Sequence, residues 1–144
     1  MECFKTFRKA PPSQLIMTLL VKNEESMLEE NLLFHKAMGV DSFIITDNNS
    51  TDSTPEIIRK YKQKGWIKEV IEEKATDYEQ KEWVDRMIWK AKTIYKADWI
   101  INADADELWY SPSGNLKTDL SATHANVLNC EMRSVYPEEN RPFW

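Results

Sequence analysis

At 144 residues, with 42% apolar and 30% charged side chains, the chain is long enough for one globular domain with a real core and too short for two. The net charge of −5 argues against nucleic acid as a partner, and any phosphate site must be built locally from a metal, helix N-termini or single basic side chains. Cys3 and Cys130 cannot make a disulfide framework and read as free thiols of a reducing, cytoplasmic compartment; no apolar run approaches a membrane span, and no hydrophobic signal segment opens the chain.

Residues 1–13, charged and carrying Pro11 and Pro12, read as an arm leading to the first strand. Leu15 to Val21 is nearly all apolar, the pattern of a parallel strand covered on both faces. A helix is predicted from Lys22 or Asn23 to about Met38, with Leu28, Leu32, Leu33 and Phe34 on its apolar face and Gly39 ending it. Ser42 to Thr46 is a second strand, and Asp47 to Ser53 a polar loop. Ser53 and Glu56 have capping-box spacing with Pro55 in the first turn, so a helix is expected up to Lys64, closed by Gly65. A third strand follows over Ile67 to Ile71. Asp77 with Gln80 opens a helix to about Lys96, whose core stripe is Val84, Ile88, Ala91 and Tyr95, with Trp83, Met87 and Ile94 beside it. Trp99 to Ala103 is the fourth strand. Ser111 to Gly114 is a turn, and Ala125 to Met132 reads as one more strand.

Strands alternating with helices predict an α/β fold with a mostly parallel, Rossmann-like sheet and right-handed crossovers. Ligands of such sheets bind beyond the carboxyl ends of the strands. Three polar clusters fall there: Lys22-Asn23-Glu24, Asp47 to Asp52, and Asp104-Ala105-Asp106-Glu107. In the last, three carboxylates within four residues repel one another. A hard divalent cation, Mg²⁺ or Mn²⁺, gives them a purpose, because it takes one or two carboxylates and completes its shell with water and substrate phosphates. With only three glycines, Gly-rich cradles for dinucleotides or P-loop triphosphates are excluded.

The order strand, Lys-Asn-Glu, helix, strand, Asp-Asn-Asn-Ser-Thr-Asp-Ser-Thr, helix, and then Asp-Ala-Asp-Glu after a fourth strand resembles the nucleotide-sugar half of a family 2 type glycosyltransferase with the GT-A fold. His35, Gly39-Val40-Asp41, Gln80-Lys81-Glu82-Trp83 and Asp85-Arg86-Met87 add to the resemblance, which covers residues 15–110. It implies a nucleotide-sugar-binding α/β domain over 14–110 and the start of an acceptor-side region over 111–144, incomplete at the C-terminus. It implies a metal-dependent, inverting transfer of a sugar from a UDP-linked donor to a carbohydrate or other hydroxyl acceptor. The backbone around Thr18, Leu19 and Val21 and the side chain of Glu24 would border the base. Asp47 would accept from uracil N3–H, a task that suits an acceptor-only carboxylate. Asp104 would approach the ribose or the metal, and Asp106 would ligate the metal. Inverting enzymes also need a general base; Glu131, Glu138 and Glu139 are the carboxylates near the end, and nothing marks one of them. A place at the cytoplasmic face of a membrane would come through further parts of a longer protein.

Other polar residues carry two readings. Lys22 and Arg86 are the local cations for a diphosphate, Arg86 the better because it can bind bidentately, with a surface ion pair as its alternative. Asp52 reads as a helix cap. His35 reads as a satisfied structural histidine, Gln80 and Trp83 as a sugar wall or as packing, and Glu107 as support for the metal or a surface charge. The competing class is a non-catalytic, Mg²⁺-binding domain of the receiver type, although this chain has Asn23-Glu24-Glu25 where a receiver carries its acidic pair.

Overall fold

A computed structural model describes residues 14–74, 80–123, 125–128 and 130–134. The elements run β1 (Leu15–Val21), α1 (Leu28–Ala37), β2 (Ser42–Asp47), α2 (Thr54–Gln63), β3 (Ile67–Glu72), α3 (Gln80–Thr93), β4 (Trp99–Ala103) and α4 (Leu116–Ser121). All strand pairs are parallel and the sheet order is β3-β2-β1-β4. This is the order of the Rossmann half-sheet, in which the chain reverses direction of travel between β1 and β4; a receiver-type sheet instead sets its first strand between the second and third.

β1 is apolar because it is central and covered on both faces. Its alternate residues divide between two cores, as the two-residue period of a strand requires. Leu15, Met17, Leu19 and Val21 pack with Leu28 and Leu32 of α1 and with Phe43, Ile45, Ile58 and Tyr61. Ile16 and Ile44 on the other face pack against Met87 and Ala91 of α3. Each such fully buried aliphatic side chain contributes about 1.5–3 kcal/mol relative to exposure.

Several boundaries differ from the sequence reading, each for a local reason. α1 begins at Leu28, not at residue 22 or 23, because Asn23 takes a left-handed conformation (φ 56°) and the backbone turns through Glu24 before helical pairing starts. Ser53 makes no capping bond; Asp52 does that work, its Oδ1 accepting from the Thr54 N–H at 2.9 Å. The buried stripe of α3 is Trp83, Met87 and Ala91; Ala91 is where it was expected, Trp83 and Met87 take the places expected of Val84 and Ile88, and Ile94 is exposed. Val84 and Tyr95 pack only partly against the smaller core.

α4 was not anticipated. Asn115 caps it, its side chain accepting from the N–H groups of Lys117 and Thr118. The cap rests on the end of α1: the Leu116 N–H donates to Met38 O at 2.8 Å, and a Cβ on Gly39 (φ +97°) would lie 2.7 Å from Asn115 Oδ1. The strand expected over 125–132 is absent from the described residues of that stretch, which are irregular and mostly exposed. Its alternation of apolar side chains finds no neighbouring strand to pair with among them. The N-terminal arm, Cys3, Asp77, Glu138 and Glu139 lie outside the described residues.

Candidate functional site

A cleft of about 280 Å³ opens at the carboxyl ends of β1 and β4. Leu20, Val21, Lys22 and Glu24 line one side and Asp104, Ala105 and Asp106 the other, with Asn48 and Gln80 completing it. The cleft thus lies where neighbouring connections diverge from the sheet, the usual ligand position of this topology.

The loops after β1 and β2 are laced together by side chain to backbone bonds. Ser50 Oγ accepts from the Asn23 N–H at 2.9 Å, and Asn23 Oδ1 accepts from the Thr51 N–H at 2.8 Å. Thr54 Oγ1 accepts from the Glu24 N–H, Asp52 Oδ2 from the Glu25 N–H, and Glu25 Oε2 from the Ser53 N–H. Much of the polar content of both motifs is therefore spent on holding one loop against the other. Asn23 and Asn49 both have positive φ, which asparagine tolerates better than most residues. The lacing leaves the Glu24 carboxylate half-buried at the cleft. Burial raises its pKa first, and the charges of Asp106, Asp52 and Asp104 add to the rise.

The acidic loop alternates. Asp104 and Asp106 are exposed at the cleft while Ala105 between them is buried. Asn31, fully buried on α1, donates from Nδ2 to Ala105 O at 2.9 Å and to Glu107 O at 3.0 Å. His35, one turn later and equally buried, sets Nδ1 at 2.9 Å from Asn31 O and 3.0 Å from Asn31 Oδ1. Its Nε2 accepts from the Trp109 N–H at 2.9 Å, so the ring is neutral with its hydrogen on Nδ1. Burial depresses its pKa to about 4. His35 is structural, as expected. Asn31 was overlooked; its only trace in the sequence was a polar pair with His35 at i, i+4 beside the buried Leu28 and Leu32.

The other expected site residues fall in several places. Thr18 is buried within the sheet, its hydroxyl donating to Asn102 Oδ1 at 2.9 Å, and Leu19 belongs to the larger core. Neither lines the cleft; Val21 does. Asp47 is buried and outside the cleft lining that Asn48 joins, and its Oδ1 accepts from both the N–H and the hydroxyl of Ser50. Arg86 stands outside the lining, paired with Glu73 at 2.7 Å. Its Nε is buried with no partner among the described residues. Trp83 is buried in packing. Glu107 folds back, its Oε2 accepting from the Asp104 N–H at 3.3 Å.

Among the described residues no three His, Cys, Asp or Glu side chains close into a ready metal cage. The donors at the cleft are nonetheless all oxygen, with Asp104 and Asp106 outward and Glu24 within electrostatic reach. That set fits a hard cation sharing its shell with water and a diphosphate. Among the described residues no helix is long and apolar enough to cross a membrane.

No curated protein sequence matches the chain. Of solved structures, the mannosyltransferase PcManGT from Pyrobaculum calidifontis, in complex with GDP-Man and Mn²⁺, superposes with a TM-score of 0.53 at 18% identity, over 71% of this chain and 30% of that one. TarS residues 1–349 from S. aureus give 0.53 at 16% identity, over 76% of this chain and 31% of theirs. These likenesses show a shared fold, and the chain spans less than a third of either neighbour. The profile of glycosyltransferase family 92 matches residues 17–130, which takes in β1 through α4, the cleft and the acidic loop. The resemblance to a glycosyltransferase is borne out at the level of the family, and the family to which this chain belongs is glycosyltransferase family 92.

Proposed function

We propose that the chain is the donor-binding part of a metal-dependent glycosyltransferase that moves a sugar, with inversion, from a UDP-linked donor to a hydroxyl acceptor. The observation that carries this reading is the cleft between the β1 and β4 ends, with Asp104 and Asp106 on one wall and Glu24 on the other. The Mn²⁺ and GDP-Man held by PcManGT support the cation and the nucleoside diphosphate as ligand classes.

The residue roles follow the layout of the family 2 type enzymes that the motifs resemble. Asp106 ligates the cation and Asp104 reaches the ribose hydroxyls or the same cation. Val21 and Glu24 border the base. Asp47 serves the base with the carboxylate oxygen that Ser50 does not occupy. When bound, the cation offsets the negative charge that grows on the departing nucleoside diphosphate. Lys22, exposed at the rim, adds local positive charge, and Arg86 joins it once released from Glu73. The general base belongs to the acceptor side and is not assigned.

The test is a UDP titration of the whole chain in Mn²⁺ and in EDTA, read by thermal shift. The acidic wall repels a bare diphosphate, so UDP raises the melting temperature only with the cation. Equal binding in EDTA overturns the metal role. Binding of GDP but not UDP moves the donor to a guanosine nucleotide.

A further inference from the structure

We infer that Asn31 and His35 are positioning residues, which hold the backbone of the 104–109 loop so that Asp104 and Asp106 already face the cleft before cation and nucleotide arrive. The inference rests on the donor-site reading above and extends it to a pair of residues that touch neither ligand.

Three observations carry it. The first is coverage. Asn31 Nδ2 meets the loop carbonyls Ala105 O and Glu107 O at 2.9 and 3.0 Å and reaches Asp104 O at 3.5 Å, while His35 Nε2 takes the Trp109 N–H. The pair therefore grips the loop on both sides of Asp106 and beyond it. The second is orientation. The neutral ring presents Nδ1–H to Asn31, which keeps Oδ1 of Asn31 toward His35 and Nδ2 toward the loop. His35 thus acts on the acidic loop twice, directly at Trp109 and through the setting of Asn31. The third is burial. Both side chains are fully buried on a helix whose neighbours Leu28 and Leu32 are apolar. A buried amide and imidazole are costly at such positions unless every polar atom is satisfied, and here the loop supplies the partners.

The loop needs such a restraint. Asp104 and Asp106 stand close to Glu24, and their mutual repulsion favours spreading when no cation is bound. The grip is on backbone groups, so it leaves both carboxylates available. It is also neutral, so it brings no positive charge to compete with a cation. A ligand set fixed in advance loses less freedom on binding, which appears as a lower cation requirement.

The experiment compares the whole chain with Asn31→Leu, His35→Leu and His35→Gln. At saturating UDP, the Mn²⁺ concentration for half-saturation is measured well below each melting transition. Both leucine variants are expected to need at least tenfold more Mn²⁺. Glutamine can present Oε1 to the Trp109 N–H and its amide to Asn31, so His35→Gln stays within threefold of the parent. A folded leucine variant within twofold of the parent overturns the inference. Should neither leucine variant fold, hydrogen exchange of the parent in EDTA decides. A Trp109 amide protected at least a hundredfold supports the grip, and one that exchanges as an open loop overturns it. A parent that binds no UDP with Mn²⁺ refutes the donor-site reading instead, and the exchange measurement still judges the grip.

Discussion

His35 shows how far one residue's environment can be read as energy. Its folded pKa of about 4 lies below the unfolded value of 6.5, so the unfolded chain binds the proton more readily. The contribution to stability is complete above pH 6.5 and is lost as pH falls toward 4. Between pH 7 and pH 5 the loss is about 2 kcal/mol. Chemical denaturation at both pH values is expected to show that loss in the parent and a loss smaller by about that amount in His35→Gln, since glutamine does not titrate. An equal loss in both would mean that His35 is accessible to protons in the folded chain. At this scale the sequence was informative where a side chain acts locally. Asp52 reads as a cap and is one, because its bond to the Thr54 N–H spans two residues. Asn31 was not legible, because its partners are more than 70 residues away, and only the folded chain puts α1 beneath the acidic loop. Asp47 carries both lessons. Its place beside the end of β2 was clear, although the strand takes it in rather than stopping at Thr46, whereas its engagement with Ser50 depends on a turn that composition does not fix.

Elements whose periodicity is strong were legible almost to the residue. β1 and β4 have the expected limits, since a short, mostly apolar run rich in aliphatic side chains is the pattern of a buried parallel strand. The start of α1 was misplaced because Lys22 to Met27 has helical composition but serves the lacing of two loops, a tertiary demand that overrides propensity. The stripe of α3 was in part misplaced because aromatic and aliphatic side chains occur on most of its circumference, and the sheet alone chooses among them. α4 is short, and Asn115 was its only signal. The contact between that cap and Gly39 gives a test at this scale. Gly39→Ala combines an unfavourable positive φ with a side chain driven into Asn115. A destabilisation of about 1–3 kcal/mol is expected in urea unfolding. An unchanged midpoint would show that the cap moves aside freely.

For the whole molecule, the sheet order explains why acidic side chains from distant stretches share one edge. Parallel strands all deliver their carboxyl ends to the same side, and β1 pairs directly with β4, so Glu24 beyond β1 meets Asp104 and Asp106 beyond β4 at the neighbouring strand ends. That arrangement was legible from strand and helix alternation before any contact was known, and so were Val21, Glu24, Asp104 and Asp106 in the cleft, with Gln80 on its wall as one of two readings. Thr18 and Leu19 belong instead to the sheet interior, and Asn48 takes a place on the wall that was not foreseen. Crowding of like charge at one edge weakens the cation-free fold. Asp106→Asn is therefore expected to melt at or above the parent temperature in EDTA and to lose Mn²⁺-dependent UDP binding. A lower melting temperature with UDP affinity intact would assign Asp106 to a structural network.

The partners of β1 also differ in how much chain must be gathered to reach them. The bond from the Leu15 N–H to Asp41 beside β2 closes 26 residues, whereas the contact of Thr18 with Asn102 on β4 closes 84. Loop closure over the longer span is entropically dearer, so it follows the local pairings. The expected order is therefore β1, β2 and β3 first, with β4 bringing the acidic loop to a surface already formed, and φ-values of about 0 on β4 against higher ones on β2 would check it. In that order the carboxylates that repel one another at the cleft would meet only at the last docking step, when most of the apolar burial is already in place to oppose them.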